Sequence, residues 1–267
     1  MKVKNATLLG IAVISHASIS AQIQKGFHYR IPRGETVTYV EDRRSPVTVP
    51  KVVRSASGLK AGIKQKGDTL IIDFWGITDD PFSGDPTAVN STQSLTYGFY
   101  YISLPQRRNN SDIDTYRTFK YATWEVGLTT IPYKFRFGKT TSKDTIRNDV
   151  STAVNAGIYI GRKWGSTLFY IDKDKSKNRL SFTAAAFFNA TSIDLSEKTT
   201  LKKVKYESKE LGLGVGVGFM LSIGDINAGV LTGIDIPISG ESEKWNYANR
   251  PWLGFGLGYK LGIFGEK

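Results

Sequence analysis

The feature that most constrains this chain is the strict two-residue alternation of its C-terminal end. Between Trp252 and Phe264 the odd positions are Leu253, Phe255, Leu257, Tyr259, Leu261 and Ile263, while the even positions include Gly254, Gly256, Gly258, Lys260 and Gly262. A period of two belongs to a strand, whose successive side chains point to opposite faces. The same division separates Leu211, Leu213, Val215, Val217, Phe219 and Leu221 from Gly212, Gly214, Gly216 and Gly218. It recurs where Ile226, Ala228, Val230, Thr232, Ile234 and Ile236 face away from Asn227, Gly229, Leu231, Gly233 and Asp235. Glycine weakens a strand, so a row of glycines on one face signals that something bulky from across a narrow space must fit there. A small barrel supplies that crowding: its apolar face meets lipid, and its closure satisfies every backbone amide, as hydrocarbon demands. The soluble alternative puts the apolar face inward and the glycines in water, where Lys, Glu and Thr are the usual occupants.

Counted backward, the strand candidates are 251–264, 225–237, 206–222, 180–193, 165–171, 152–162, 123–137 and 95–104. They predict an all-β fold, an antiparallel up-and-down transmembrane β-barrel of eight strands preceded by a β-rich N-terminal segment. Ten strands, with 59–66 and 69–76 added, is the alternative count. Short turns on one side and long loops on the other then make Ile223-Gly224 a periplasmic turn and Pro105–Tyr121, Asp194–Lys205 and Ser239–Arg250 external loops. Two connections fit poorly: Gly138–Asp149 becomes a long periplasmic loop and Lys163-Trp164 a very short external one. In 123–137 the parity changes, from Trp124, Val126 and Leu128 to Ile131, Tyr133, Phe135 and Phe137, which predicts a bulge near Thr129 to Pro132. Trp124, Tyr133, Trp164, Tyr206, Trp245, Tyr247, Trp252 and Phe264 lie near strand ends, where interfacial girdles place aromatics and where core packing is the other explanation.

Residues 1–21 read as a signal peptide, with Lys2 and Lys4, a short apolar core from Leu8 to Ile14, and small residues at Ser18-Ile19-Ser20-Ala21. The core is too short to span a bilayer, and an uncleaved anchor is the rival reading. Residues 22–94 form an irregular segment with prolines at 32, 46, 50, 81 and 86 and β-prone pieces at Thr36–Val40, Val47–Val53 and Thr69–Trp75. Lys66-Gly67-Asp68 has the composition of a hairpin turn, and Thr78–Gln93 that of a linker or long loop. The barrel is expected over 95–264. With no cysteine, the chain can hold no disulfide, thiolate metal site or cysteine nucleophile. The formal charge of +12 would suit nucleic acid in the cytoplasm. Export argues against that partner, and the Lys and Arg residues are spread over turns such as Arg107-Arg108, Lys173, Lys175, Lys177 and Lys202-Lys203, as solvated loops touching acidic lipid would have them.

The alternating 211–222 hairpin strand and the run Pro251-Trp252-Leu253-Gly254-Phe255-Gly256-Leu257-Gly258-Tyr259, which closes on Phe264, resemble small eight-stranded outer-membrane barrel proteins of Gram-negative envelopes. Ile131-Pro132-Tyr133-Lys134-Phe135-Arg136-Phe137 is similar to segments of uncharacterised barrels of that kind. The resemblance implies location in the outer membrane and a C-terminal aromatic read by the insertion machinery; here Gly265-Glu266-Lys267 follow it. It is architectural and carries over no functional residue, since such barrels include pores, adhesins, anchors and enzymes.

Sites for chemistry are scarce. His28 is the one histidine after the signal, and no Gly-x-Ser-x-Gly elbow exists to partner it. Asp172-Lys173-Asp174 and Asp79-Asp80 lack the ligand series of a calcium loop and read as turn-forming acids, with weak loop calcium as the alternative. The glycines at 212, 214, 216 and 218 have the wrong spacing for a dinucleotide site. What remains is the inward face, with Glu125, Lys134, Arg136, Asn155, Tyr159, Glu210, Asn227, Asp235 and Lys260. These form either an ion-pair ladder that plugs the barrel or a polar conduit or small cavity. The expectation is a non-enzymatic outer-membrane barrel without cofactor, whose partners are membrane lipid and, through its loops, envelope proteins or external ligands. A narrow pore, an embedded lipid-modifying enzyme and a soluble secreted barrel binding an apolar ligand are the alternatives.

Overall fold

The computed structural model describes residues 27–40, 48–53, 57–75, 99–105, 116–140, 145–152 and 155–261. Residues 1–21, read as a signal peptide, Thr78–Gln93, read as a linker or long loop, and Phe264 lie outside the described residues. The strands are β1 (His28–Ile31), β2 (Thr36–Val40), β3 (Thr48–Val52), β4 (Leu59–Lys66), β5 (Thr69–Phe74), β6 (Phe99–Ser103), β7 (Tyr116–Arg136) and β8 (Lys139–Thr140). They continue as β9 (Thr145–Ile146), β10 (Asp149–Ser151), β11 (Asn155–Tyr170), β12 (Lys177–Asn178), β13 (Ser181–Leu195), β14 (Ser208–Ile223), β15 (Ile226–Pro237) and β16 (Pro251–Leu261). All pairings between them are antiparallel, so the fold is all-β with one large antiparallel sheet.

The long strands pair in the succession β7, β11, β13, β14, β15, β16, and β16 pairs in turn with β7. In register, Gly157 faces Thr129, Asn189 faces Gly214, Gly214 faces Asp235, and Trp252 faces Arg136. The expected eight strands thus become six in this succession. Two differences account for the change. The candidates 152–162 and 165–171 fall on one uninterrupted strand, β11 (Asn155–Tyr170), because Lys163-Trp164 keeps the alternation and pairs with both neighbours. The 95–104 candidate, seen here as β6, pairs instead with β2 and β5. The two strands of the ten-strand alternative exist as β4 and β5, but they also lie in the N-terminal part of the sheet.

Merging the two candidates into β11 removes both poorly fitting connections. The connections 137–154, 196–207 and 238–250 all leave from one end of the six strands, and the tight Gly224-Asp225 turn lies at the other. Of Pro105–Tyr121, expected as an external loop, the residues from Tyr116 on are already strand β7, paired with β11 and, at Lys120–Ala122, with β1 at the Gly224 end.

Toward that end β7 and β11 run on beyond the other four strands and become part of a second body. Order continues β7, β1, β4, β5, β6, β2, β3. Between these strands lies an apolar core containing Tyr29, Ile31, Val37, Leu70, Ile72 and Tyr100 together with Phe119, Tyr121 and Phe169 of the two long strands. The described parts of the 22–94 segment form strands β1 to β5, with β2, β3 and β5 on the β-prone pieces of the sequence, and β6 pairs with β2 and β5. The β4–β5 hairpin turns at Lys66-Gly67-Asp68 as expected, with Gly67 at φ +59°, where a side chain is disfavoured.

The two bodies have opposite polarity. In the N-terminal sheet the large apolar side chains are inside. On the six strands they are outside: Phe219 is 70% exposed, Leu221 56%, Phe255 45% and Leu253 45%. Their neighbours Trp252, Gly254, Gly256 and Gly258 are buried. The parity change falls where the sequence puts it, since Tyr133 faces Phe255 while Thr130 faces Leu257, leaving an extra residue at Ile131–Pro132. One detail differs: Ile131 is buried on the glycine face, and the outward series resumes at Tyr133.

Candidate functional site

The buried face of the six strands is built around the glycines. A side chain at Gly256 or Gly218 would strike Leu231, one at Gly127 would strike Tyr159, and one at Gly214 would strike Asn189. Bare backbone opposite each bulky residue makes room for it on this buried face. Ile131, Tyr159, Ala185, Phe187, Met220, Leu231 and Trp252 pack together there.

Polar groups occupy two levels of this face. At the end carrying the three long connections, the Asp235 carboxylate accepts from Lys134 Nζ and Arg136 Nη2, both at 2.8 Å, and from Trp252 Nε1 at 3.1 Å. Lys134 also donates to Thr191 Oγ1 at 3.2 Å and lies over the Trp252 ring, 4.5 Å from its centroid. The second cation, Arg136, reaches Asp149 at 3.5 Å and sits on the Trp245 ring. Both cations are thereby neutralised, one carboxylate being fully buried and the other half exposed.

Toward the opposite end, Glu125 accepts from Tyr159 Oη at 2.7 Å, from Asn227 Nδ2 at 2.7 Å and from Lys163 Nζ at 2.9 Å. Leu231, midway along β15 between Asn227 and Asp235, separates the two levels together with Phe187. Breaking a buried pair of this kind leaves an uncompensated charge, which costs far more than an exposed pair would.

Seven of the nine residues predicted for the inward face are buried there: Glu125, Lys134, Arg136, Asn155, Tyr159, Asn227 and Asp235. Six of them join the two charge clusters. Asn155 instead binds the backbone of Ile131, accepting from its N–H and donating to its carbonyl. Glu210 and Lys260 are only half buried and belong to neither cluster: Glu210 accepts from Ser239 Oγ at 2.6 Å, and Lys260 Nζ lies 5.9 Å from the Phe27 ring centroid. Sequence reasoning missed Lys163, Asn189, Thr191 and Trp252. The expected strand break at Lys163-Trp164 hides Lys163 in a short connection, although Gly157, Tyr159, Gly161, Lys163 and Gly165 continue one alternation. Trp252 was placed in an outer girdle but points inward, because the buried face of β16 begins with it.

Trp245 and Tyr247 are likewise not girdle residues. With Ile193 and Leu195 they form an apolar cluster over the long-loop end, where the Tyr247 hydroxyl donates to the Arg147 carbonyl at 2.7 Å. Trp124, Tyr133 and Tyr206 are exposed as expected. His28 lies against Trp75, 3.9 Å between centroids with the rings tilted by 57°. Its imidazole is held below its ordinary value, first by burial and then by the charges of Arg162 and Lys60. Asp172 caps the short 173–175 turn by accepting from the Asp174 N–H at 3.1 Å, which is the turn-forming role. No group of three metal-ligating side chains gathers among the described residues. The chain matches no family model, no curated protein and no solved structure.

Proposed function

We propose that the six paired strands close into a barrel that resides in the outer membrane, and that the protein works there without catalysis. The barrel anchors the N-terminal sheet on one side and presents the connections 137–154, 196–207 and 238–250 to partners on the other. The observation that carries this reading is the inversion of polarity: exposed Leu, Val, Ile and Phe on the six strands surround charged groups that are buried and paired. Water favours the reverse arrangement, whereas hydrocarbon favours this one. Strand length agrees. On β14 the outward apolar series runs from Leu211 to Ile223, about 40 Å of strand at roughly 3.3 Å per residue. Tilted by about 45°, that length spans about 30 Å of hydrocarbon.

The filled interior weighs against the narrow pore, and the outward direction of Leu253, Phe255 and Leu257 weighs against a soluble barrel with an apolar ligand inside. Membrane fractionation of the expressed protein, followed by gel mobility with and without boiling, tests the reading. Recovery with outer membranes and a heat-dependent shift are the expected result. A protein that stays in the soluble fraction without detergent would overturn it.

A further inference from the structure

Three cations stand side by side on the exposed face where the N-terminal sheet meets the six strands. Arg30 of β1 is directly opposite Lys60 of β4 on one side and Lys120 of β7 on the other. All three are exposed, and no acidic side chain among the described residues pairs with any of them. Like charges directly opposite on neighbouring strands destabilise a sheet, and Asp73, the exposed acidic neighbour diagonal to Lys60, forms no ion pair with the row, so three adjacent cations favour a counter-charge from outside. The row lies four residues along β7 from Trp124, about 13 Å at roughly 3.3 Å per residue. Trp124 is exposed and carries the Arg162 guanidinium 5.5 Å from its ring centroid, and Trp164 stacks on Phe182 beside it. Aromatic residues of this kind mark the edge of a hydrocarbon belt, and long cationic side chains just beyond it reach the head-group layer.

We propose that Lys60, Arg30 and Lys120 form a docking surface for the phosphates of anionic phospholipids in the leaflet that faces the N-terminal sheet. This rests on the barrel reading above. The row is continuous with the apolar belt and complementary in charge to a phosphate layer, which holds a dense array of anions at that depth. Bound lipid phosphates would offset the repulsion within the row and fix the N-terminal sheet at a set height against the membrane.

The test uses the full chain refolded into phosphatidylcholine vesicles containing trace spin-labelled phosphatidylglycerol or spin-labelled phosphatidylcholine, with the motionally restricted fraction of each lipid read by electron paramagnetic resonance. The expected result is a preference of about fivefold for phosphatidylglycerol that fades in 0.5 M NaCl, as surface electrostatics are screened. Substituting Arg30→Gln, Lys60→Gln and Lys120→Gln together should remove the preference while insertion, scored by the heat-dependent gel shift, persists. Substituting Lys198→Gln, Lys202→Gln and Lys203→Gln at the other end should leave the preference unchanged. A preference that is absent in the wild type, or that survives the first triple variant, overturns the proposal. Loss of the wild-type preference on adding glycerol phosphate at constant ionic strength would mean a soluble phosphate ligand and would overturn the lipid assignment. Should the triple variant not fold, the wild-type salt and glycerol phosphate arms still decide. Failure of the wild type to insert at all overturns the barrel reading and this inference together, whereas insertion without lipid preference overturns this one alone.

Discussion

The side-chain amide of Asn155 takes the place of a neighbouring strand for Ile131, accepting from its backbone N–H at 2.7 Å and donating to its carbonyl at 2.6 Å. The bulge at Ile131–Pro132 shifts β7 out of step with β16, and the two backbone groups of Ile131 would otherwise be buried without partners. One side chain thus lets the strand change parity, so that Glu125 before the bulge and Lys134 after it both point inward.

Replacing Asn155 with Ala should therefore destabilise the protein by about 2–4 kcal/mol, the cost of orphaning a buried donor and a buried acceptor. Urea unfolding of the vesicle-inserted protein, followed by tryptophan fluorescence, measures it. A loss below about 0.5 kcal/mol would mean that other groups satisfy the bulge.

The contact between Gly256 and Leu231 gives a second prediction. Gly256→Ala puts a methyl group into the Leu231 side chain and should cost about 1–3 kcal/mol through overpacking. Leu231→Ala should cost about 2–5 kcal/mol through the cavity it leaves. Together the two should cost at least about 1 kcal/mol less than their sum, because each relieves the other. Strict additivity in the same unfolding assay would mean that the glycine is not there to accommodate Leu231.

The alternation of 211–222, 226–236 and 253–261 displays its two faces openly and with them the strand assignments, while the parity change in 123–137 marks the bulge and the inward polar residues on either side of it. Strand number was harder to read, because it depends on pairings that leave no local mark. Nothing in Phe99–Ser103 distinguishes a strand that joins β2 and β5 from one that joins β7, and the continuity of β11 through Lys163-Trp164 was obscured by two large polar or aromatic residues in mid-strand. Asn189 and Thr191 escaped notice because an isolated polar residue among Ala and Phe looks like an exposed one until its partner on another strand is known. In the N-terminal sheet the β-prone pieces at Thr36–Val40, Val47–Val53 and Thr69–Trp75 and the Lys66–Asp68 turn were legible, but their common core was not, because it draws Phe119, Tyr121 and Phe169 from strands more than fifty residues away in sequence from most of their partners.

His28 supplies a prediction in pH. Because burial and two nearby cations favour its neutral form in the fold, the unfolded chain binds the proton first as pH falls below about 6.5. His28 is then neutral in both states at pH 8 and contributes no pH dependence. Its contribution to stability declines as the pH drops through 6.5 toward the lower folded value, and the loss is complete below that value. Wild type should therefore lose more unfolding free energy between pH 8 and pH 5 than His28→Gln does. Parallel losses in the two proteins would show that His28 titrates alike in both states.

Asp235 is the keystone of the inner charges, and its removal separates a plug from a conduit. Asp235→Asn leaves Lys134 without a carboxylate and Arg136 with only the half-exposed Asp149, so the variant should lose about 3–5 kcal/mol of stability, as happens when one partner of a buried pair is withdrawn. If the side chains packed between the two polar levels seal the proposed barrel, wild-type protein in vesicles should not raise their permeability to glucose above that of protein-free vesicles. Asp235→Asn should leave permeability low in whatever fraction remains folded, because Leu231, Phe187 and Met220 still fill the middle. A wild-type protein that lets glucose through, or an Asp235→Asn variant that keeps full stability and alters ion selectivity, would instead make the same residues the lining of a pathway. The two outcomes differ in sign on separate axes, stability and permeability, so either measurement alone can expose an error in the other.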